Sequence, residues 1–170
     1  MWYHESMDDV LIEFFATFLI WFLFAGLIIL WFIYGKIKKE QVIHALVACA
    51  TAFIIAFLIK IFFPTLRPFI INGKEVEVML KPVDGAFPSE HTTLAFALAT
   101  TIFMHDRKVG LVYLILALAI GVSRVLANVH YPIDIVGGAF LGTIVAVIIE
   151  KIHLFKFISG FGKWGSKIRG

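Results

Sequence analysis

The chain has 170 residues, of which 61% are hydrophobic and 16% are charged, and its formal net charge is +3. Soluble domains are roughly half apolar and about a quarter charged, so this composition excludes an ordinary soluble protein and predicts a membrane protein. The single cysteine, Cys49, excludes a disulfide framework and a cysteine-based metal site, and the small, scattered positive charge indicates no nucleic-acid partner.

Five apolar runs, taken in chain order, predict an all-α integral-membrane bundle of about five transmembrane helices. The first run, residues 10–34, is too long for the core of a signal peptide and follows acidic residues, so it is expected to remain as a spanning helix. A bilayer core about 30 Å thick needs about 20 helical residues, and the third and fifth runs are near the lower limit. With no repeat along the chain, residues 1–170 are expected to form a single domain. The later runs are residues 42–63, 88–104, 109–127 and 134–149.

Lysine and arginine are distributed unequally between the two sides of this bundle. Five spans place the loop after residue 34, the loop at residues 104–109 and the segment after residue 150 on one side, which holds ten of the fifteen basic residues. The positive-inside rule makes that side, and with it the C-terminus, cytoplasmic. In a bacterium with two membranes, the other side would be the periplasmic face of the inner membrane. Residues 151–170 mix aromatic residues with lysines and are expected to lie in the interface or to be disordered.

Polar residues gather at the outer ends of the predicted helices. Taken singly, each has an ordinary explanation, because lysine and arginine anchor helices in headgroups while serine, glutamate and aspartate cap helix N-termini. Their accumulation at one face is not explained in that way, since each cation at depth costs roughly 2.5–3.5 kcal/mol on insertion scales. We therefore predict a single site at this face. Its residues are Lys60, Arg67, Ser89, Glu90, His91, Arg124, His130 and Asp134.

The basic members of this group suit a phosphate ligand. Phosphate carries a charge of about −1.5 to −2 and binds guanidinium groups in bidentate fashion, which fits Lys60, Arg67 and Arg124. Ser89 and the free backbone N–H groups at the start of the third helix, near Glu90, would add neutral donors and the positive end of the helix dipole. The sequence therefore predicts phosphate binding at these five positions.

Two histidines and an aspartate suit phosphoryl transfer. One imidazole must be neutral and attack phosphorus, and the other must be protonated and give its proton to the departing oxygen. Asp134 lies four residues after His130, close enough for its carboxylate to hold one ring nitrogen and orient the other. We therefore predict His130 as the nucleophile, His91 as the acid and Asp134 as the orienting residue.

The same residues form three short motifs that resemble the signatures of the type 2 phosphatidic acid phosphatase (PAP2) superfamily, which also includes the vanadium haloperoxidases. The resemblance implies the helical core of that superfamily, a covalent phosphohistidine at His130 that water hydrolyses, and no metal or other cofactor. The motifs are Lys60, six residues, Arg67 and Pro68; Pro88, Ser89 and His91; and Ser123, Arg124, five residues, His130, three residues and Asp134.

Glu90 departs from the second motif, where the superfamily most often has glycine. A carboxylate repels phosphate, so its side chain is expected either to point away or to tune a second phosphate, a proton or a headgroup. An acidic residue at this position resembles the bacterial branch of the superfamily that hydrolyses undecaprenyl diphosphate. We therefore expect this lipid to be the substrate. Lipid A 1-phosphatases and phosphatidylglycerophosphate phosphatases have the same motifs and are the alternatives.

Two other classes of protein compete with a phosphatase. A transporter would carry charges through the membrane midplane, whereas the centres of these runs are apolar. A lipid-binding or scaffold protein would not need His130 and Asp134 at this spacing.

Residues 69–87, which include the turn signal Asn72-Gly73, could be a hairpin or a plain connector, and we expect them to contact the headgroup. Glu13 and His44, expected near the outer and inner interfaces, receive no catalytic role.

Overall fold

The computed structural model describes residues 7–33, 39–74, 76, 78 and 82–152. Within these residues the chain is helical and has no strand. The first long helix consists of α1 (Met7–Glu13), a π-helical segment (Phe14–Phe18) and α2 (Leu19–Ile33), which follow one another directly. The remaining helices are α3 (Lys39–Phe62), α4 (Pro68–Asn72), α5 (Glu90–His105), α6 (Arg107–Leu126) and α7 (Pro132–Lys151).

Among the described residues, four helical stretches have the length and apolar composition needed to cross a membrane, namely Val10–Phe32, Gln41–Phe62, Arg107–Leu126 and Pro132–Lys151. The fifth, α5, has only 16 residues and is therefore about 24 Å long, shorter than the hydrocarbon core. The predicted all-α membrane bundle is confirmed, while the count of five spans is approximate because of α5. The predicted ends of the long helices lie within three residues of the observed ones.

Helix α5 lies at the centre of the bundle, where it packs against α3, α6 and α7. Small residues make this packing close. A Cβ atom added to Gly142 of α7 would collide with the backbone of Thr93, and one added to Gly138 would collide with the carbonyl oxygen of Ser89. Glycines four residues apart are typical of membrane helices whose backbones approach one another. Because protein encloses α5, its short length does not expose unpaired backbone to lipid.

The outer surface of the bundle carries large apolar side chains, and many of its interior positions carry small or polar ones alongside buried leucine and isoleucine. Interior positions of α5 include Ala95, Ala97 and Ala99, and also Thr92 and Thr93, all of which are inaccessible to solvent. Such a distribution fits a chain surrounded by lipid, because hydrocarbon does not drive large apolar side chains inward. The exposed apolar residues include Phe22, Ile28, Phe32, Ile54, Phe57, Leu118, Val136 and Phe140.

The connection between α3 and α5 contains the short helix α4, which the sequence did not predict. Pro68 occupies its first turn, and Gly73, with a φ of 67°, ends it in the left-handed conformation. The turn signal Asn72-Gly73 therefore terminates a helix. Residues 75, 77 and 79–81 of the segment in which a hairpin was predicted lie outside the described residues, as does the predicted interfacial tail from residue 153 onward.

Candidate active site

A cavity of about 480 Å³ opens at the end of the bundle where α3 and α6 finish and where α5 and α7 begin. Six of the eight residues predicted for the site line it, and the first long helix adds Thr17 and Trp21 to its wall. The six are Lys60, Arg67, Glu90, His91, Arg124 and His130.

Arg67, which directly precedes α4, is held by an extensive set of hydrogen bonds. It is 2% exposed. Its guanidinium donates to the carbonyl oxygen of Val129 at 2.9 Å, to that of Asp84 at 2.9 Å and to that of Gly85 at 3.1 Å, and to Asp84 Oδ1 at 2.7 Å. Nη1 also lies 3.2 Å from Nε2 of His130. A fixed guanidinium beside an imidazole nitrogen is therefore the central element of the cavity.

This contact determines the tautomer of His130. Because a guanidinium can only donate, Nε2 of His130 must accept, and the ring proton must sit on Nδ1. Nδ1 faces Asp134 Oδ2 at 3.4 Å, and the same oxygen accepts from the backbone N–H of Tyr131 at 2.8 Å. Burial, together with the charges of Arg67 and Arg124, lowers the pKa of His130 to about 4, although the hydrogen bond to Asp134 opposes the shift. The ring is therefore neutral at pH 7, with its lone pair on Nε2.

Lys60 forms ion pairs with two carboxylates at the mouth of the cavity. Its Nζ lies 2.5 Å from Asp84 Oδ2 and 3.2 Å from Glu90 Oε1. The side chain of Glu90 thus points towards Lys60 and lines the cavity. In this conformation it does not turn away from the phosphate site, which was one of the two expectations from the sequence. Burial by itself would raise the pKa of Asp84, but Lys60 and Arg67 outweigh that effect and hold the pKa below its usual value.

Arg124, in the last turn of α6, connects the cavity with the first long helix. Its Nη1 donates to the carbonyl oxygen of Ala16 at 2.9 Å, within the π-helical segment. Its Nε and the hydroxyl of Thr17 are buried and have no hydrogen-bond partner among the residues that the structure describes. Buried polar groups are rarely left unpaired, so these atoms at the cavity wall indicate an anionic ligand that accepts from them.

Ser89 and Asp134 lie behind the cavity wall. Ser89 is inaccessible to solvent, its hydroxyl accepts from Thr92 at 3.1 Å, and its backbone N–H donates to the carbonyl oxygen of Asp134 at 3.1 Å. Its backbone therefore joins the start of α5 to the start of α7. In the described conformation Ser89 positions the two helices that carry His91 and Asp134, and its hydroxyl does not face the cavity.

Six residues that line the cavity were not predicted individually, and three of them, Asp84, Thr17 and Trp21, matter most for the site. Asp84 lies in a Pro- and Gly-containing connection that reads as a loop, and only the need of Lys60 and Arg67 for an anion could have indicated it. Thr17 and Trp21 lie in an apolar run about 40 residues or more before the first motif and give no signal in the sequence. Their place in the wall follows from packing of the first long helix against α6.

Comparisons with known proteins identify the family. The sequence model of the PAP2 superfamily matches residues 41–158. The chain is 32% identical over 144 residues to the bacitracin transport permease protein BcrC of Bacillus licheniformis, covering 85% of this chain and 71% of the relative. It is 28% identical over 155 residues to the undecaprenyl-diphosphatase BcrC of Bacillus subtilis, covering 91% and 77%.

A solved structure shows the same architecture. The crystal structure of Aquifex aeolicus LpxE superposes with a TM-score of 0.73 at 30% sequence identity, covering 88% of each chain. The region that matches the superfamily model, residues 41–158, contains all three motifs, from Lys60 to Asp134. The chain thus belongs to the PAP2 superfamily, and it is a multi-pass membrane lipid phosphatase.

Proposed function

We propose that the protein hydrolyses undecaprenyl diphosphate at the outer face of the membrane through a phosphohistidine at His130. The observation that carries the proposal is the neutral imidazole whose Nε2 faces Arg67 inside a cavity lined with further cations. A nucleophile needs an unprotonated nitrogen that can turn to the bound phosphoryl group. The Nε2 lone pair accepts from Arg67 in the described conformation, so a phosphoryl group held by the cavity's cations has to replace Arg67 as its partner.

The reaction proceeds in two balanced steps. His91 takes up a proton from solvent when the anionic diphosphate binds beside it. Nε2 of His130 then attacks the terminal phosphorus, the bond from phosphorus to the bridging oxygen breaks, and undecaprenyl phosphate leaves with the proton from His91. Water then gives a proton back to His91 and attacks the phosphohistidine, which releases inorganic phosphate and restores His130. Asp134 stabilises the positive charge that the imidazole acquires in the first step, because its carboxylate faces Nδ1.

The choice of a diphosphate rests on the number of charges in the cavity. Three cations line it, and the described conformation satisfies Lys60 and Arg67 with carboxylates. A diphosphate has more acceptor oxygens and more charge than a monophosphate, so it can replace Asp84 at two cations and still reach Arg124. The similarity to the undecaprenyl-diphosphatase BcrC supports the same substrate class.

An apolar path leads from the cavity towards the lipid. A second pocket of about 220 Å³ shares Trp21, Glu90 and His91 with the active-site cavity and extends to Phe24 and Phe53, between α2 and α3. Phe24 also borders a third pocket, of about 360 Å³, whose lining is almost entirely apolar. A long polyprenyl chain can therefore lie along this seam while its diphosphate stays at the helix ends.

Trp21→Ala is expected to raise KM several-fold for a long-chain diphosphate and little for a short-chain one. An equal change for both would contradict this route.

The outward orientation rests on the basic residues of the sequence. Ten of fifteen lie on the side opposite the cavity, and cytoplasmic loops are enriched in lysine and arginine. A cysteine introduced beside the cavity is expected to react with a membrane-impermeant maleimide in intact spheroplasts. Labelling that requires permeabilised membranes would place the cavity on the inside.

The function is tested by phosphate release from the purified, detergent-solubilised chain with EDTA present. The substrates are undecaprenyl diphosphate, lipid A, phosphatidylglycerophosphate and phosphatidic acid, and the variants are His130→Ala and, as a control at the same end of the bundle, Asn72→Ala. We expect release that is fastest with undecaprenyl diphosphate, absent in His130→Ala and retained in Asn72→Ala. A higher rate with another lipid would reassign the substrate. Release that persists in His130→Ala would show that His130 is not the nucleophile.

A further inference from the structure

A second cluster of titratable side chains lies at the end of the bundle opposite the active site. His44 comes from the first part of α3, His105 is the last residue of α5, and Glu150 is the last but one of α7. His44 Nδ1 is 2.9 Å from Glu150 Oε2, and His105 Nε2 is 3.1 Å from Glu150 Oε1. One carboxylate thus offers one oxygen to each of two imidazoles from different helices.

Hydrogen bonding within the cluster is incomplete. His44 is 3% exposed, and its Nε2 is buried without a hydrogen-bond partner among the described residues. His105 Nε2 is likewise buried, and its approach to Glu150 lacks hydrogen-bond geometry. If His44 donates from Nδ1 to Glu150, its Nε2 is an acceptor that finds no donor. A buried nitrogen without a hydrogen-bond partner needs an explanation, and for His105 Nε2 an ion between the two imidazoles and the carboxylate supplies one.

The group has the composition and spacing of a metal site. One ring nitrogen from each histidine and one carboxylate oxygen lie within 4.8 Å of one another. Zinc binds imidazole nitrogen at about 2.0–2.1 Å and carboxylate oxygen at about 2.0–2.2 Å, and two histidines with one carboxylate are an established ligand set for it. Tetrahedral ligands lie roughly 3.4 Å apart at these bond lengths, so small side-chain rotations bring the three atoms around one ion.

Gln41 adds an independent observation on the same side of α3. It precedes His44 by three residues, which places it one helical turn away, and its Oε1 is buried without a partner among the described residues. When His44 binds a metal through Nδ1, its Nε2 carries the proton and becomes a donor. Gln41 Oε1 and His44 Nε2 are not hydrogen-bonded in the described conformation. A rotation of the Gln41 amide that brings them together would give the metal-bound histidine the supporting hydrogen bond that such ligands usually have.

We propose that His44, His105 and Glu150 bind one divalent transition-metal ion, with zinc the best match, and that the ion joins α3, α5 and α7 at this end of the bundle. The same three helices carry Lys60, His91 and Asp134 at their other ends. The ion therefore stabilises the helix arrangement on which the active site depends and takes no part in phosphoryl transfer. This inference does not depend on which lipid the enzyme hydrolyses.

The test is zinc binding to the full chain in detergent, after removal of metals with EDTA and of EDTA by exchange. Competition with a chromogenic chelator is expected to give one zinc ion per chain. Glu150→Gln retains the size and hydrogen bonding of the side chain but removes the anionic ligand, and it is expected to raise the Kd at least tenfold. His105→Gln, at a helix end, tests a second ligand in case Glu150→Gln does not fold. His130→Ala is the control for zinc held by the active-site histidines, and its Kd for zinc is expected to equal that of the wild type.

Thermal unfolding gives a second measurement that is independent of activity. Zinc at about a hundred times its Kd is expected to raise the Tm of the metal-stripped protein by roughly 5–10 °C. The shift should disappear in Glu150→Gln and persist in His130→Ala. Failure of the wild-type chain to bind zinc, or equal affinity in the wild type and both ligand variants, would overturn the proposal. Loss of the tight site in His130→Ala alone would assign the ion to the active site and overturn it as well.

Discussion

Replacement of Asp134 by asparagine should slow the chemical step while leaving the fold and substrate binding nearly intact. Asn Oδ1 can still accept from the backbone N–H of Tyr131, as Asp134 Oδ2 does at 2.8 Å. Asp134 does not line the cavity, so its removal should leave KM within about threefold of the wild-type value. What the variant loses is the negative charge 3.4 Å from Nδ1 of His130.

The size of the loss follows from that distance. When Nε2 attacks phosphorus, the imidazole becomes positively charged, and a unit charge 3.4 Å away contributes about 5 kcal/mol at an effective dielectric constant of about 20. A hydrogen bond to a charged group contributes less, about 1.5–3 kcal/mol net. Between these limits, kcat should fall by roughly a hundredfold to a thousandfold, since each 1.36 kcal/mol corresponds to a factor of ten.

Asp106→Asn provides a matched control. Asp106 lies at the start of α6, as Asp134 lies at the start of α7, and its carboxylate accepts from the backbone N–H groups of Lys108 at 2.9 Å and Val109 at 3.1 Å at the other end of the bundle. Both variants should have a slightly lower Tm, but only Asp134→Asn should lose kcat, as measured by phosphate release under saturating substrate. Retention of kcat within fivefold in Asp134→Asn, or equal losses in the two variants, would refute the role of the carboxylate.

Three further predictions concern the groups around the bound phosphate. Arg124→Ala should raise KM more than tenfold, because Arg124 lines the cavity and its buried Nε has no acceptor among the described residues. Initial-rate kinetics measures this. Asp84→Asn should lower the Ki of inorganic phosphate several-fold, because the carboxylate competes with phosphate for Lys60. At pH values above the pKa of Asp84, where the ionised carboxylate stabilises the fold, the same variant should also have a lower Tm than the wild type. The signals of the His130 ring in ¹⁵N NMR, identified by their absence in His130→Ala, should remain those of a neutral Nδ1–H ring from pH 8 down to about pH 5. Since the pKa is lowered to about 4, the ring gains its proton only below that range, and protonation near pH 6.5 would contradict the assigned environment.

The helices could be predicted closely from the sequence because lipid imposes their length. Runs of about 20 apolar residues have no other stable arrangement in a bilayer than a helix, and their ends fall where polar residues begin. The short helix α4 was missed because its five residues begin with a proline and carry no periodic pattern. The π-helical segment at Phe14–Phe18 was missed because it interrupts an apolar run without any change in composition.

The site could be predicted as far as its motifs extend. The polar residues at the helix ends are brought together because helices of similar length in one membrane must place their ends at the same two levels. Asp84, Thr17 and Trp21 could not be found in this way, because their positions depend on how a connection folds back and on which helices pack together. The direction of the Glu90 side chain also depends on a partner distant in the sequence, Lys60, whose Nζ it approaches at 3.2 Å.

The phosphohistidine at His130 is tested by capture of the covalent intermediate. Undecaprenyl diphosphate labelled with ³²P in its terminal phosphate is mixed with the enzyme, and the reaction is quenched in base within milliseconds, digested and mapped by mass spectrometry. A phosphoramidate is stable to base and labile to acid, so we expect acid-labile label on the peptide that contains His130 and none in His130→Ala. Absence of labelled enzyme during rapid turnover, or label on any other residue, would rule out His130 as the nucleophile.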